Sequence, residues 1–282
     1  MKVGYLGPNA SFTHLAVKRA FTNVQLNPYM TIPECIEAAS AKEVDIAVVP
    51  LENALEGSVN LTIDYLVQET DLKIIAELIL PIRQHLMMHA QYAAEEEIRP
   101  EKVLSHSHAI AQCHKFLHQQ LKGVPVEYTS STSAAAKWIS EHPEKKYAAI
   151  GNELAAKEYD LTILKKDIHD YKHNHTRFIV VSRENFRCIS QSTKQVKTTV
   201  MVMLPSDYAG ALHQVLSAFS WRKLNLTKIE SRPMKTGLGN YYFIIDIEKE
   251  WDDVLLPGAV AEMEALGCQV KVLGSYPSYS FT

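Results

Sequence analysis

The chain has 282 residues, of which 46% are hydrophobic and 22% are charged, and this composition excludes intrinsic disorder as the main state. It carries 29 lysine and arginine residues against 32 aspartate and glutamate residues, a formal charge of −3 that argues against nucleic acid as the main partner. The length allows two domains or one large one.

Short apolar runs alternate with helical patterns along the first part of the chain. The first run covers residues 2–6, after which Ser11 or Thr13 can cap a helix that continues to Phe21. Later runs predict strands at 45–50, 74–80, 85–89, 102–105, 125–129, 147–150 and 178–182. The patterns between them predict helices at 33–42, 59–69, 108–121, 132–141 and 152–159. Apolar runs without polar alternation suit a parallel sheet, so the sequence predicts an α/β fold with ligands beyond the carboxyl ends of the strands.

The pattern changes in the last third of the chain. A polar segment without a clear period comes first and predicts a linker. Strand, helix, strand, strand, helix and strand patterns follow at 198–205, 209–224, 226–232, 240–248, 256–266 and 269–273. A turn between the two central strands is predicted at Gly237, Gly239 and Asn240. This β-α-β-β-α-β order is typical of a small ferredoxin-like domain.

These changes of pattern predict the domain boundaries. We expect a first domain at 1–182, a linker at 183–196, a second domain at 197–275 and a tail at 276–282.

The cysteines indicate a reducing compartment. Cys35, Cys113, Cys188 and Cys268 lie far apart and form no CxxC spacing, which is typical of free thiols. The N-terminal segment lacks an apolar core of signal-peptide length, and no run of 18 or more apolar residues occurs. We therefore expect a cytoplasmic protein without a membrane partner that acts on a small molecule.

The segment that leads into the last strand of the first domain is the most informative one. Asp170 and Asn174 are turn formers ahead of a strand. In a strand that starts at Thr176, Thr176 and Phe178 share one face and Arg177 points the opposite way. The Thr176 hydroxyl can donate a hydrogen bond to a ligand, or it can bond a neighbouring backbone group, and spacing alone favours the second interpretation.

Two longer patterns resemble the signatures of one family. Residues 159–181, which carry Asp170 and the run Thr-Arg-Phe-Ile-Val-Val, resemble the signature of the prephenate dehydratases. Residues 226–233, Leu-Thr-Lys-Ile-Glu-Ser-Arg-Pro, resemble the second signature of that family, which lies in its regulatory ACT domain. Further matching segments lie at 7–13, 49–59, 104–113, 130–136, 148–156 and 273–277, so the resemblance covers nearly the whole chain.

The match departs from the family pattern in three loops. Ala10 stands where a glycine is expected, and Ala54 stands where a serine or threonine is expected. Ser107-His108 replaces the expected Pro-Gln. The expected residues are present at Asn53, Gln112 and Thr176.

The resemblance implies a hydro-lyase that needs no cofactor. Such an enzyme removes the ring hydroxyl of prephenate as water and the ring carboxylate as CO2, and it forms phenylpyruvate for phenylalanine biosynthesis. The implied catalytic domain is two-lobed, like a periplasmic binding protein, with the site in the cleft between its lobes. Because the matching motifs begin at residue 3, we expect no fused chorismate mutase domain before them.

The resemblance also implies roles for individual residues. Thr176 would assist departure of the hydroxyl by hydrogen bonding, since its own pKa is too far from neutrality for full proton donation. The other implied catalytic residues are Asn53, Gln112 and Ser105, whose neutral dipoles can orient the substrate. The implied substrate-binding residues are Ser11, Glu52, His106, Ser131, Thr132, Phe178 and Arg177.

The groups that bind the two substrate carboxylates are less certain from sequence. Arg177 is the obvious bidentate candidate, but it can equally face away and pair with an acidic residue. Ser11, Ser131 and Thr132 lie where loops open helices, and helix N-termini bind carboxylates well. Simple N-capping explains each of them equally well.

The histidines do not indicate a metal site. His114 and His118 have the i, i+4 spacing of metal ligands, but no HExxH motif or carboxylate partner accompanies them. Solvated or capping histidines are the favoured interpretation. Neither a GxGxxG motif nor a P-loop occurs, so we expect no metal and no nucleotide cofactor.

The resemblance further implies an L-phenylalanine site at an interface between ACT domains. Its residues would be Gly210, Ala211, Leu212, Glu230, Ser231, Arg232 and Pro233. Alternatively, Gly210 only shapes a turn and Arg232 only makes a salt bridge. Phenylalanine at this site would shift the population toward a less active state. The exposed sheet edges of such domains favour a homodimer or homotetramer.

Two other functions compete with this interpretation. A non-catalytic amino-acid sensor or solute-binding protein can share the two-lobed fold and the sensing domain. An arogenate dehydratase would perform the same chemistry on a substrate in which an amino group replaces the keto oxygen.

Overall fold

The structure is a computed structural model that describes residues 1–92, 98–184, 189, 193, 195–206, 209–234 and 241–281. The chain forms two compact units. Unit 1 comprises residues 1–62, 79–178 and 281–282, and unit 2 comprises residues 63–78 and 179–280. Residues 63–78, which the predicted boundaries assign to the first domain, therefore belong to unit 2.

The strands and helices are numbered along the chain. The strands are β1 (Lys2–Leu6), β2 (Gln25–Tyr29), β3 (Ile46–Asn53), β4 (Gly57–Ser58), β5 (Lys73–Pro81), β6 (His85–His89), β7 (Lys102–Ser105), β8 (Val126–Tyr128), β9 (Tyr147–Gly151), β10 (Leu161–Lys165), β11 (His175–Ser182), β12 (Val196–Met203), β13 (Leu226–Pro233), β14 (Tyr241–Ile247) and β15 (Gln269–Ser280). The helices are α1 (Phe12–Ala20), α2 (Ile32–Ser40), α3 (Asn60–Gln68), α4 (Ser107–Gln112), α5 (His114–Gln120), α6 (Thr132–Glu141), α7 (Glu153–Glu158), α8 (Ala211–Ser220) and α9 (Leu255–Ala265).

The described part of unit 1 contains two mixed sheets. In the first sheet the strand order is β11-β3-β1-β2, with β4 on β3. Strand β1 is parallel to both of its neighbours, and the β3–β4 pair is antiparallel. The second sheet has the order β10-β6-β9-β7-β8, in which β7 is parallel to its neighbours and β6 is antiparallel to its own. The predicted α/β class is confirmed, but the sheets are mixed rather than parallel throughout.

Strands β2, β4 and β10 have no counterpart among the predicted elements, and α4 and α5 form where a single helix is predicted. Strand β2 lies at a sheet edge and contains Pro28, so it lacks the apolar run of a buried strand. Between α4 and α5 the backbone of Cys113 leaves the helical region, with φ −115° and ψ 18°. Its side chain is fully buried in a cluster with Val103 and Ile150. Packing of this short side chain therefore accompanies the break, which spacing alone does not reveal.

Unit 2 has the predicted β-α-β-β-α-β order, from β12 to β15. Its sheet order is β13-β14-β12-β15-β5, and β12 is antiparallel to β14 and β15. Helices α8 and α9 supply Val215, Phe219 and Met263 to a core that also includes Val200 and Ile245. The last strand, predicted at 269–273, continues to Ser280, which corrects the predicted tail.

The close approach of β5 and β15 explains why the last strand contains a glycine. A Cβ atom at Gly274 would overlap the carbonyl oxygen of Ile74 on β5. Glu77, three residues after Ile74 on β5, is fully buried and accepts hydrogen bonds from Lys197 at 2.8 Å and Ser278 at 2.6 Å. A buried carboxylate needs such partners to offset its loss of hydration. Residues 73–78 of β5 are thus an integral part of unit 2.

The structure bears on the predictions about membrane spans, metal sites and cysteines. Among the described residues, no helix combines the length and the apolarity that crossing a bilayer requires. Those residues also contain no group of three or more His, Cys, Asp or Glu that could hold a metal ion. Cys35, Cys113 and Cys268 are free and buried, and burial raises the pKa of Cys35 and of Cys113 to about 12. Cys188, the predicted turn at 237–240 and much of the predicted linker lie outside the described residues.

Candidate active site

A cavity of about 500 Å³ lies within unit 1 and is lined by strands of its first sheet and by loops and helices that flank strands of its second sheet. Its walls are the start of α1, the end of β3 with the following turn, the segment between β5 and β6, helix α4, the start of α6, and β11. This volume lies in the range of small-molecule sites. Phe12, Ile82 and Phe178 supply apolar surface, whereas the polar lining is mostly neutral amides, hydroxyls and imidazoles.

The side chains of Asn53 and Thr176 meet in this cavity. Asn53 ends β3, and Thr176 is the second residue of β11. The Asn53 Nδ2 atom donates a hydrogen bond to Thr176 Oγ1 at 2.8 Å. The backbone N–H of Ala54 also donates to the carbonyl oxygen of His175 at 2.9 Å, so the turn after β3 is fixed to the start of β11.

The turn after β3 fixes the orientation of the Asn53 amide. Its Oδ1 atom accepts hydrogen bonds from the backbone N–H groups of Leu55 at 3.0 Å and Glu56 at 3.1 Å. A backbone N–H can only donate, so the oxygen must face the turn and the nitrogen must face Thr176. Because Nδ2 occupies a lone pair of the Thr176 oxygen, the hydroxyl hydrogen of Thr176 is available to an acceptor in the cavity. The interpretation of Thr176 as a ligand donor thus has a geometric basis.

Two glutamine side chains lie side by side in the cavity wall. Gln112, from the last turn of α4, is 7% exposed, and Gln84, from the segment between β5 and β6, is 2% exposed. The Gln84 Nε2 atom donates to Gln112 Oε1 at 3.5 Å, a long bond. Gln112 is one of the predicted catalytic residues, whereas Gln84 is not among the predicted site residues. A polar residue between the apolar strands at 74–80 and 85–89 is the signal that could have identified it.

Helices α1 and α6 direct their N-termini at the cavity. Ser11 caps α1 by accepting from the N–H of His14 at 3.2 Å, and Ser131 caps α6 by accepting from the N–H of Ala134 at 2.9 Å. Ser11 and Thr132 line the cavity, whereas Ser131 does not. Capping and cavity lining therefore occur together at Ser11, and the free N–H groups of both first turns favour anions.

Ala10, which stands where the family pattern has a glycine, adopts a backbone conformation that favours glycine. Ala10 has a φ of 63°, in the left-handed region that favours glycine. Its backbone is held there, because its N–H donates to His14 Nδ1 and its carbonyl accepts from Asn152 Nδ2, both at 2.9 Å. The chain thus builds the loop before α1 with an alanine where glycine would be less strained.

Histidines line the side of the cavity formed by α4. His106 and His108 both line it, with ring centroids 4.9 Å apart. Burial, and then the charge of His108, lowers the pKa of His106 below its usual value, which favours a neutral ring at pH 7. His108 Nδ1 lies 3.8 Å from Glu56 Oε2, and this carboxylate is the anionic group of the lining.

Arg177 is not part of the described cavity lining. Its Nη1 atom donates to Glu52 Oε2 at 2.9 Å, and neither residue lines the cavity. Strand alternation explains this, because Thr176 and Phe178 face the cavity and Arg177 lies between them. The structure therefore shows the second interpretation of Arg177, pairing with an acidic residue, and the expected contact between Glu52 and the ligand stays a prediction.

Ser105 does not occur among the described residues that line the cavity, and its expected position beside the substrate stays a prediction. It is fully buried, and its Oγ atom donates to the carbonyl oxygen of Ile150 at 2.7 Å. Ser105 ends β7 and Ile150 belongs to the adjacent β9. The hydroxyl thus holds two strands of the second sheet together behind α4.

No lysine or arginine occurs among the described residues that line the cavity. An anionic ligand would therefore be stabilised by backbone N–H groups at helix starts and by neutral side-chain donors. Such fixed dipoles are effective where water is excluded.

The predicted effector residues lie in unit 2. Gly210 caps α8 with a φ of 92°, and among the described residues no atom beyond its chain neighbours lies within 4 Å of the position that a Cβ would occupy. Arg232 binds Asp64 through two nitrogens, with the shortest distances at 3.1 Å, and Tyr242 donates to the same carboxylate at 2.8 Å. Glu230 pairs with Lys228 at 3.0 Å. Arg232 therefore makes a salt bridge, which is the alternative to a direct ligand contact that the sequence left open.

Comparisons with known proteins agree with one another. The family described as prephenate dehydratase matches residues 3–186. A prephenate dehydratase of Bacillus subtilis (strain 168) is 61% identical over 285 residues, which cover 99% of each chain. A prephenate dehydratase of Lactococcus lactis subsp. cremoris (strain MG1363) is 41% identical over 281 residues, again 99% of each chain. The crystal structure of a prephenate dehydratase from Arthrobacter aurescens in complex with L-Phe has a TM-score of 0.86 at 34% identity and covers 98% of this chain and 90% of that chain.

The position of Ser105 leads to a stability prediction. We expect Ser105→Ala to lower the free energy of unfolding by about 1–2 kcal/mol, because a buried hydrogen bond to Ile150 is lost. Urea unfolding measures this change. Ser107→Ala, at an exposed position of α4, is the matched control and should change the free energy by less than about 0.5 kcal/mol. Equal values for the two variants would contradict a structural role for the Ser105 hydroxyl.

Proposed function

The chain belongs to the prephenate dehydratase family, and we propose that it converts prephenate to phenylpyruvate in phenylalanine biosynthesis. In the balanced reaction, the prephenate dianion and one proton give the phenylpyruvate anion, CO2 and water. The C–O bond to the ring hydroxyl and the C–C bond to the ring carboxylate both break. The electron pair of the C–C bond enters the ring, which becomes aromatic.

The observation that carries this proposal is the hydrogen bond between Asn53 and Thr176. The chemical difficulty of the reaction is the departure of a poor leaving group, since aromatisation makes the overall step favourable. A hydroxyl with its hydrogen directed into the cavity can donate to the leaving oxygen as charge develops on it. Positioned acids and donors of this kind contribute roughly 10²- to 10⁴-fold in rate. Thr176 needs only to hydrogen-bond the oxygen, and it need not become an alkoxide.

Binding of the dianion rests on dipoles in this proposal. The first turns of α1 and α6 offer backbone N–H groups beside Ser11 and Thr132, and Gln112 offers an amide from the last turn of α4. Phe178 gives the ring an apolar wall. Each helix N-terminus contributes about 0.3–2 kcal/mol to binding of a carboxylate. A neutral lining also leaves the ring carboxylate free of a tight ion pair, which its departure as CO2 would have to break.

We further propose that the parts of the chain have the roles that the family suggests. The sheets of unit 1 would be the two lobes of a catalytic domain like that of periplasmic binding proteins. The β-α-β-β-α-β region from β12 to β15 would be an ACT domain. The boundaries at 182 and 197, a cytoplasmic location and assembly as a homodimer or homotetramer remain predictions of the same proposal.

L-Phenylalanine would regulate the enzyme at the start of α8 and the end of β13. The open space at Gly210 supports close approach of a ligand to the backbone. Arg232 can transmit the binding of phenylalanine to helix α3, because it forms a salt bridge with Asp64 of that helix. The same helix carries Thr62, whose hydroxyl donates to the carbonyl of Pro50 at 2.7 Å, and Pro50 lines the cavity. A ligand that favours one arrangement of this helix would shift the population toward it.

The first test of the proposal removes the Thr176 hydroxyl. We expect the wild-type chain to form phenylpyruvate, and Thr176→Ala to lower kcat by about 10²- to 10⁴-fold because the leaving oxygen loses its donor. The measurement is phenylpyruvate absorbance in alkali after incubation with prephenate, with arogenate assayed in parallel. Thr176→Ser keeps a hydroxyl and should stay within about tenfold of the wild type. Near-normal turnover of Thr176→Ala in a folded protein would remove Thr176 from the mechanism.

The second test addresses the effector. Gly210→Ala adds a methyl group at a φ of 92°, where it meets open space and strains the backbone. We expect phenylalanine to bind about tenfold or more weakly by calorimetry, with kcat in the absence of phenylalanine within twofold of the wild type. Gly123→Ala is the matched control, because Gly123 has a φ of 83° and equally open surroundings in unit 1. Undiminished phenylalanine binding in Gly210→Ala would show that the effector lies elsewhere.

A further inference from the structure

Gln84 is held rigidly in the wall of the cavity. It follows β5 in the segment that leads to β6, and its side chain is 2% exposed. Its backbone N–H donates to His169 Nδ1 at 3.3 Å, and its carbonyl accepts from the N–H of Ile168 at 2.9 Å. The chain on both sides of the side chain is therefore fixed by hydrogen bonds.

The amide of Gln84 has one orphaned atom. Nε2 donates to Gln112 Oε1, whereas the buried Oε1 atom of Gln84 has no hydrogen-bond partner among the residues that the structure describes. More than nine-tenths of buried polar groups in native proteins have a partner, so an unpaired, buried carbonyl oxygen on a residue that lines the cavity is a candidate acceptor for a donor of the ligand. The arrangement also turns the Gln112 amide, because its oxygen is engaged by Gln84 and its nitrogen is left for another acceptor.

We propose that Gln84 contacts the substrate by accepting a hydrogen bond from the ring hydroxyl that leaves as water. This inference rests on the proposed function. Both carboxylates of prephenate are ionised at neutral pH and its keto group has no hydrogen, so the ring hydroxyl is the only O–H donor of the substrate. The oxygen of that hydroxyl would donate to Gln84 and accept from Thr176.

The contact would favour the transition state over the ground state. As the C–O bond lengthens, the leaving oxygen takes up the one proton that the overall reaction consumes from the solvent, and its O–H groups become stronger donors once this oxygen is protonated. The hydrogen bond to the Gln84 carbonyl strengthens at that point, so it lowers the barrier rather than only tightening binding. Gln84 neither gains nor loses a proton, and the oxygen leaves as water.

The experiment compares Gln84→Met with the wild type on two ligands. Prephenate carries the ring hydroxyl, whereas phenylpyruvate lacks it and serves as a competitive inhibitor. We expect Gln84→Met to lower kcat by about tenfold or more, with the inhibition constant of phenylpyruvate within about twofold of the wild type. The midpoint of urea unfolding should not fall. Gln119→Met, at an exposed position on α5, is the matched control and should behave as the wild type.

The possible outcomes separate this inference from the proposed function. A wild-type chain that forms no phenylpyruvate would overturn both. Normal turnover by Gln84→Met would overturn the inference alone and would mean that a water molecule satisfies Oε1. A parallel loss of turnover and of phenylpyruvate inhibition would also overturn it, because Gln84 would then only shape the cavity.

Discussion

The hydrogen bond from Asn53 to Thr176 is the contact on which the rest of the site depends. The backbone N–H groups of Leu55 and Glu56 fix the Asn53 oxygen, so the Asn53 nitrogen must face Thr176. A turn of three residues thereby makes the Thr176 hydroxyl an acceptor toward Asn53 and leaves its hydrogen available for another acceptor. This orientation costs nothing at the moment of reaction, because it is built in when β3 and β11 come together.

The absence of lysine and arginine from the described cavity lining follows the same principle. A fixed cation would stabilise the ring carboxylate of the substrate and oppose its departure as CO2. Helix N-termini and amides provide weaker, directional stabilisation that suits a carboxylate in the ground state. Arg177, the cation nearest to Thr176 in sequence, instead pairs with Glu52. Its ion pair joins the ends of β3 and β11, which supports the geometry of Asn53 and Thr176 from the opposite face.

Strand alternation and short apolar runs in the sequence correctly predicted several strands and the faces of their residues. Strand alternation at 176–178 correctly separated Thr176 and Phe178 from Arg177, and buried apolar runs located β1, β6 and β7. Contacts between segments that are far apart in the sequence could not be predicted from such local patterns. The roles of Ser105 and Gln84 depend on Ile150 and Gln112, which lie 45 and 28 residues away. The length of β15 depends on pairing with β12, and a pattern of glycine, serine and proline after 273 resembles a tail when that partner is unknown.

The most direct test of the account is the turnover of Asn53→Asp at saturating prephenate. An aspartate still accepts from the turn N–H groups, but its second oxygen cannot donate, so Thr176 must turn its hydrogen toward the carboxylate and away from the cavity. Because kcat is measured at saturation, weaker binding of the dianion by the added charge does not enter. The account predicts that kcat falls by about 10²-fold or more while the protein remains folded. A folded Asn53→Asp variant with a kcat near that of the wild type would contradict it.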